Sequence, residues 1–170
     1  PKPQNPFFGH LNFKNMFNRI VFPAPNPPTY SAQKFLGEII YVPRTTPSEE
    51  SKDNETDFVP CLYLPYQSGC QKLILFFHGN AEDLGISYEM LDHLRASLKI
   101  NILAVEYPGY GIYNEAAFGN PLEGGPSEDK IFSDAKCVYQ FVLRTTNLVS
   151  RDIIALGRSL GSGPATYLAS

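Results

Sequence analysis

Three things are scarce in this chain of 170 residues: cysteine, an excess of either charge, and long apolar runs. Each shortage removes a class of protein. Without a stretch of about 18 consecutive apolar residues, no segment is expected to span a membrane. Cys61, Cys70 and Cys137 are odd in number and make no CxxC pair, which argues against a disulfide framework or a zinc site. That usage favours a reducing compartment, so the expected location is cytoplasmic, with peripheral membrane contact left open. Lys plus Arg number 14 against 17 Asp plus Glu, a net charge of −3, so the chain has no basic footprint and no nucleic-acid partner is expected. No leader pattern of charged, apolar and small residues opens the chain. It begins at Pro1, with Met16 and Met90 its only methionines, and the protein's own start is expected upstream.

What is present suits one globular domain. Hydrophobic residues make up 43% and charged residues 18%, enough to bury a core. Eleven of the 15 prolines fall in residues 1–65, and eleven of the 13 glycines fall after 65. The first part is therefore expected to be irregular with extended pieces, the second regular with glycine turns. Residues 1–9 read as a loose arm. Residues 10–22 space Leu11, Phe13, Met16, Phe17, Ile20 and Val21 like a short helix, either packed on the domain or docking a membrane surface or partner. The division expected is an arm and helix over 1–22 and a domain portion over 23–170. Residues 38–43 and 58–65 read as a hairpin pair of strands around a polar, acidic loop.

After residue 70 strands and helices alternate. Residues 72–77, 101–107 and 152–156 are apolar runs of the kind that parallel strands buried on both faces show. Residues 87–99 are helical, with Met90, Leu91, Leu94 and Leu98 on one stripe. A second helix covers 127–144, with Ser127 as its cap and Ile131, Ala135, Val138 and Val142 at helical spacing. A last helix starts near Leu160. The pattern predicts an α/β fold with a mostly parallel sheet covered on both faces and an N-terminal antiparallel hairpin.

Chemistry concentrates at three turns. Gly157-Arg158-Ser159-Leu160-Gly161 is a GxSxG sequence, which chance supplies in about one chain in twenty of this length. Its setting is more specific: a strand immediately before and a helix immediately after, as a nucleophile elbow requires. A serine on such a strained turn stands clear of its neighbours, and only glycines at the flanks let the chains pass. His78-Gly79-Asn80-Ala81 ends the strand 72–77, where a backbone amide can join the amide after the nucleophile in an oxyanion hole. The donors would be Asn80, with Ala81 the less favoured choice, and Leu160. His78 reads as a loop-holding residue rather than a base. Tyr107-Pro108-Gly109-Tyr110-Gly111 suits a tight turn at the rim of the sheet.

Together with Asn26–Ser31 (NPPTYS), His78–Gly85 (HGNAEDLG), Glu106–Gly111 (EYPGYG), Gly124–Ala135 (GGPSEDKIFSDA) and Ile153–Ala165 (IIALGRSLGSGPA), these turns resemble the α/β-hydrolase superfamily. The branch they resemble is that of the palmitoyl-protein hydrolases among the α/β-hydrolase-domain proteins, over roughly residues 17–170. The resemblance implies a serine hydrolase of acyl esters or thioesters, with Ser159 as nucleophile and Asn80 and Leu160 as oxyanion donors. Gly157, Gly161, His78 and Gly79 would support the elbow and its facing loop. It implies no cofactor and no metal, and a substrate that is an acylated protein or a small ester.

The superfamily's acid and histidine follow the serine, and neither residue type occurs after Ser159; His10, His78 and His93 all precede it, and His93 reads as a surface residue. The chain alone is therefore expected to be inactive and to represent part of a fold whose C-terminal portion lies elsewhere, with the strand 152–156 at an unpaired apolar edge. Residues 112–123 read as an insertion that, with the N-terminal arm, would serve as a lid or a docking surface for protein partners. The competing reading is a catalytically incomplete scaffold that serves as an interaction subunit. A third is a peptidase of the related aminopeptidase-like group.

Overall fold

The computed structural model describes residues 17, 20–44, 58–67, 70–113 and 126–170. Period-two alternation in its central strands builds two cores at once. Strand β3 (Leu73–Phe77) is buried at all five positions. Its Leu73, Leu75 and Phe77 join one apolar cluster, and Ile74 and Phe76 join another on the opposite face. Strand β4 (Asn101–Val105) divides in the same way, with Leu103 and Val105 on the first face and Ile102 and Ala104 on the second. A strand that is apolar on both faces needs a covering layer on each.

Those layers are helices. Helix α1 (Leu84–Leu98) covers the second face with Leu84 and Leu91. Helix α2 (Glu128–Thr145) covers the first with Ile131, Ala135, Val138 and Val142, the four expected positions, and α3 (Ser162–Ala169) adds Ala165. Strands β1 (Ile39–Pro43), β2 (Phe58–Leu64) and β5 (Ile153–Gly157) complete a five-stranded sheet in the order β1-β2-β4-β3-β5. The hairpin β1–β2 is antiparallel, and β2 meets β4 antiparallel. β4, β3 and β5 run parallel, β3 pairing with β4 through Phe77–Val105 and with β5 through Phe77–Gly157.

Local chemistry sets the helix ends. Asp83 caps α1 by accepting from the Ile86 amide, and Lys99 closes it in the left-handed region at φ 55° with its amide on the Arg95 carbonyl. Ser127 caps α2, accepting from the Lys130 amide, and Glu128 and Asp129 complement the helix dipole in its first turn.

Two expectations need correction. α1 begins three residues earlier than the periodicity suggests, because the Asp83 cap precedes its apolar stripe. Its buried face runs through Leu84, Ser87 and Leu91, while Met90 and Leu98 are exposed. β5 is not buried on both faces. Ile153 and Ala155 pack against the first core, but Ile154 is 46% and Leu156 37% exposed. The reason is position: among the described strands β5 pairs with β3 alone and forms the sheet edge.

Several expectations lie outside the described residues: the arm 1–9, the acidic loop between β1 and β2, and positions 114–123 of the insertion. Ile112 and Tyr113, at the start of that insertion, are buried in a short 3₁₀ turn. Of the segment 10–22, Phe17, Ile20 and Val21 have helical backbone and are exposed. Among the described residues no helix is long and apolar enough to cross a membrane.

Candidate active site

The carboxyl ends of β3 and β5 lie side by side, and the loop after each carries one of the two motifs. Ligands of open α/β sheets bind at such carboxyl ends. The last ladder pair is Phe77 with Gly157, and the Arg158 amide donates to the Phe77 carbonyl at 3.1 Å. The chain then turns sharply through a 3₁₀ turn, Ser159–Gly161, into α3.

Ser159 sits at φ 51°, in the left-handed region that an L-residue occupies at a cost. The flanking glycines explain why the turn closes. A Cβ on Gly157 would overlap the Gly161 carbonyl, and a Cβ on Gly161 would overlap the Phe77 carbonyl. Both collisions are with backbone, which cannot move aside without opening the sheet. Ser159 is exposed at the tip, the Gly161 amide closes the turn on the Arg158 carbonyl at 2.9 Å, and the Ser162 hydroxyl donates to the Ser159 carbonyl at 2.6 Å. The Leu160 amide donates to no protein group among the described residues.

The facing loop, residues 78–83, is held from several directions. The Asn80 side chain accepts from the Tyr110 hydroxyl at 2.8 Å and from the Ala81 amide at 3.2 Å, and donates to the Val21 carbonyl at 2.8 Å. Ala81 lies at φ 61°, and its amide is used by that contact. The Asn80 amide, by contrast, has no acceptor among the described residues. Of the two donor choices weighed from the sequence, Asn80 is the one whose amide stays open.

His78 is fully buried beneath this loop. Its Nδ1 lies 2.8 Å from the Gly79 carbonyl, and its Nε2 lies 2.8 Å from Glu106 Oε1. Its ring packs on Tyr107 with centroids 3.9 Å apart. Both nitrogens are spent inside the fold, and none is left to take a proton from a serine. His93 is exposed on α1, 3.4 Å from the Ser97 hydroxyl, and His10 lies outside the described residues.

Glu106 is the centre that sequence reasoning left without a role. Fully buried, it gathers four donors: His78 Nε2, the Tyr30 hydroxyl at 2.8 Å, and the Leu84 and Tyr107 amides at 3.2 Å each. It ties the NPPTYS segment, the His78 loop, the start of α1 and the rim turn to one point. A signal was present: a carboxylate directly after the apolar run NILAV. Burial, reinforced by the Glu106 charge, pushes the Tyr30, Tyr107 and Tyr110 hydroxyls far above the usual phenol range. They remain hydrogen-bond donors throughout the physiological range. Gly109 and Gly111 take φ 82° and 47°, and a Cβ on Gly111 would strike Glu106 and Tyr30. Asp83 accepts from the Thr29 amide at 2.8 Å and from the Thr29 hydroxyl, fixing the same segment. Sequence reasoning also passed over Arg158 and Glu82, whose side chains meet across the two loops.

A mixed sheet between helical layers, with a strained serine turn at the carboxyl end of one parallel strand and a histidine-anchored loop at the next, is the architecture of an α/β-hydrolase. The chain has that fold. Solved structures agree in fold: an alpha-beta hydrolase from Vibrio vulnificus superposes with a TM-score of 0.55 at 18% identity, covering 91% of this chain and 48% of that one. The carboxylesterase EstE1 gives 0.53 at 14% identity, covering 78% and 40%. In sequence it is similar to alpha/beta hydrolase domain-containing protein 17C of Mus musculus, 32% identical over 124 residues, which cover 72% of this chain and 35% of the relative. The protein of the same name from Xenopus laevis is 29% identical over 113 residues, covering 66% and 33%. The chain thus spans about a third of the length of these curated relatives. No family model matches it.

Proposed function

We propose that the full-length protein is a serine hydrolase of acyl esters or thioesters and that Ser159 is its nucleophile. The observation that carries this reading is Ser159 at φ 51° between two glycines that no larger residue can replace. A strained, exposed serine at that point of an α/β sheet is retained for its hydroxyl. Ser159 Oγ attacks the acyl carbonyl, and its proton passes to a histidine base outside the described residues, oriented by an acid. The oxyanion accepts from the Asn80 and Leu160 amides, each donor of this kind being worth about 10²–10³ in rate. The carbon–sulfur or carbon–oxygen bond breaks, the leaving thiol or alcohol takes the proton, and water then hydrolyses the acyl-enzyme. Resemblance to the palmitoyl-protein hydrolases supports a fatty-acylated protein, held by a thioester and met in the cytoplasm or at a membrane surface, as the substrate.

The test is fluorophosphonate labelling of the native full-length protein, with the modified peptide located by mass spectrometry. Label on Ser159, absent from Ser159→Ala, is expected, together with turnover of an acyl thioester that falls by several orders of magnitude in that variant. Well-folded protein that takes no label would replace this reading with that of a non-catalytic scaffold.

A further inference from the structure

The two proposed oxyanion donors sit on different loops, and little main chain joins those loops beyond the end of the sheet. The last backbone tie is the Arg158 amide on the Phe77 carbonyl. Past it, residues 78–83 leave toward α1 and residues 159–161 leave toward α3. One side-chain contact spans them. Arg158 Nε donates to Glu82 Oε1 at 3.0 Å, and its Nη2 meets Glu82 Oε2. This is a two-pronged guanidinium–carboxylate pair, the geometry that gives such pairs orientation as well as attraction.

The surroundings separate it from an ordinary surface ion pair. The Arg158 side chain is 52% exposed, but Glu82 is buried, 7% exposed, and its Oε2 also accepts from the Ser87 hydroxyl at 3.2 Å. Gly79 is caught inside the contact. A Cβ there would overlap Glu82 Oε1 and would lie 3.5 Å from the Arg158 carbonyl. The backbone immediately before Asn80 thus lies close against the carboxylate that Arg158 holds. Leu160 follows Arg158 by two residues, and Asn80 follows Gly79 by one. The pair closes a ring through both donor-bearing turns.

We propose that Arg158 and Glu82 form a latch that sets the spacing of the two oxyanion donors, which makes both of them positioning residues for acyl transfer. The inference rests on the serine-hydrolase reading above and deepens it. Neither side chain is assigned a contact with substrate. Their effect passes through the Asn80 and Leu160 amides, whose donation matters most as charge develops on the oxygen. Misplacing such a donor by about 1 Å costs about 100-fold in rate, far more than an exposed ion pair lends to stability. Arginine is specified because its planar fork reaches both carboxylate oxygens, whereas lysine offers a single point charge.

The experiment uses the full-length protein and the variants Arg158→Lys, Arg158→Gln, Glu82→Gln and the double Glu82→Gln/Arg158→Gln. Turnover of an acyl thioester is measured per active serine, with active serines counted by fluorophosphonate titration and folding followed by the thermal midpoint. The expected result is a fall of about 10- to 100-fold in kcat per titrated serine for either Gln variant, with KM within about threefold. The double variant should be no slower than the slower single, and Arg158→Lys should recover part of the loss. A purely structural contact would lower the midpoint and the number of titratable serines, yet leave kcat per serine unchanged. That outcome, or a double variant in which the losses multiply, overturns the latch. If Arg158→Gln fails to fold, Arg158→Lys and Glu82→Gln decide by the same ratio. Wild-type protein that neither labels at Ser159 nor turns over overturns the hydrolase reading itself and the latch with it; an active wild type with an unaffected Glu82→Gln variant overturns the latch alone.

Discussion

Glu106→Gln tests the network beneath the site with almost no change in volume. The carboxylate takes four donors, two on each oxygen: His78 Nε2 and the Tyr107 amide on Oε1, the Tyr30 hydroxyl and the Leu84 amide on Oε2. A glutamine keeps one accepting oxygen and turns an NH₂ toward the other pair of donors. Two buried donors then lose their acceptor, at about 1–3 kcal/mol each. Together that is about 2–6 kcal/mol, against a total domain stability of about 5–15 kcal/mol. At a urea slope of about 2 kcal/mol/M, the unfolding midpoint should fall by about 2 M with the slope unchanged. Tyr30→Phe removes one donor and leaves the carboxylate with three, so its loss should stay near 1.5–3 kcal/mol, about the worth of one hydrogen bond to a charged group. Urea unfolding of the full-length protein, followed by fluorescence and circular dichroism together, provides the measurement. A loss below about 1 kcal/mol for Glu106→Gln would refute the reasoning. It would mean that this carboxylate is not the point on which the site's four segments are anchored.

Two further predictions follow from the elbow and the buried hydroxyls. Ser159→Gly should be more stable than Ser159→Ala by about 1 kcal/mol, because glycine occupies φ 51° without the strain that alanine keeps; thermal midpoints that are equal or reversed would remove the strain argument. Stability should also fall at high pH. The Tyr30, Tyr107 and Tyr110 hydroxyls are pushed up by burial and by Glu106, so the native state holds protons that the unfolded chain sheds above about pH 10. The stability they contribute is whole below that pH and is lost above it, at about 1.4 kcal/mol per pH unit for each, or about 4 for the three. The buried Cys61 thiol, pushed up by the same desolvation, should begin the decline near pH 8.5. Urea midpoints across this range, read beside tyrosinate absorbance, check it, and a flat profile would contradict the burial of these groups.

Much of this protein follows from local pattern. Alternation in LILFF and NILAV places residues on two faces whatever lies around them, since successive side chains of a strand point opposite ways. Ser127 caps α2 as expected, because a cap needs only a side-chain oxygen and the amide three residues on. The elbow is equally local: a strand, a serine, two glycines and a helix start within ten residues, so the motif carried its own geometry. Where the local signal misled, in the stripe of α1 and the burial of β5, the error lay in assigning partners. Periodicity says which residues share a face, and only the packed structure says whether anything covers it.

The rest depended on distance along the chain. Nothing in the order of the strands announces that β4 inserts between β2 and β3, and that insertion puts Glu106 beside His78, 28 residues earlier. Tyr30 reaches Glu106 and Arg158 reaches Glu82 across 76 residues each. Such pairs leave no periodic trace, because they are set by sheet register and loop path rather than by any residue's neighbours in sequence. The amino-acid sequence by itself determined the layers, the Ser127 cap and the strained serine. Only the tertiary structure decided which carboxylate holds the loop, which histidine nitrogens are spent and which arginine spans the two halves of the site, because buried polar groups are satisfied by whatever the fold brings within about 3 Å.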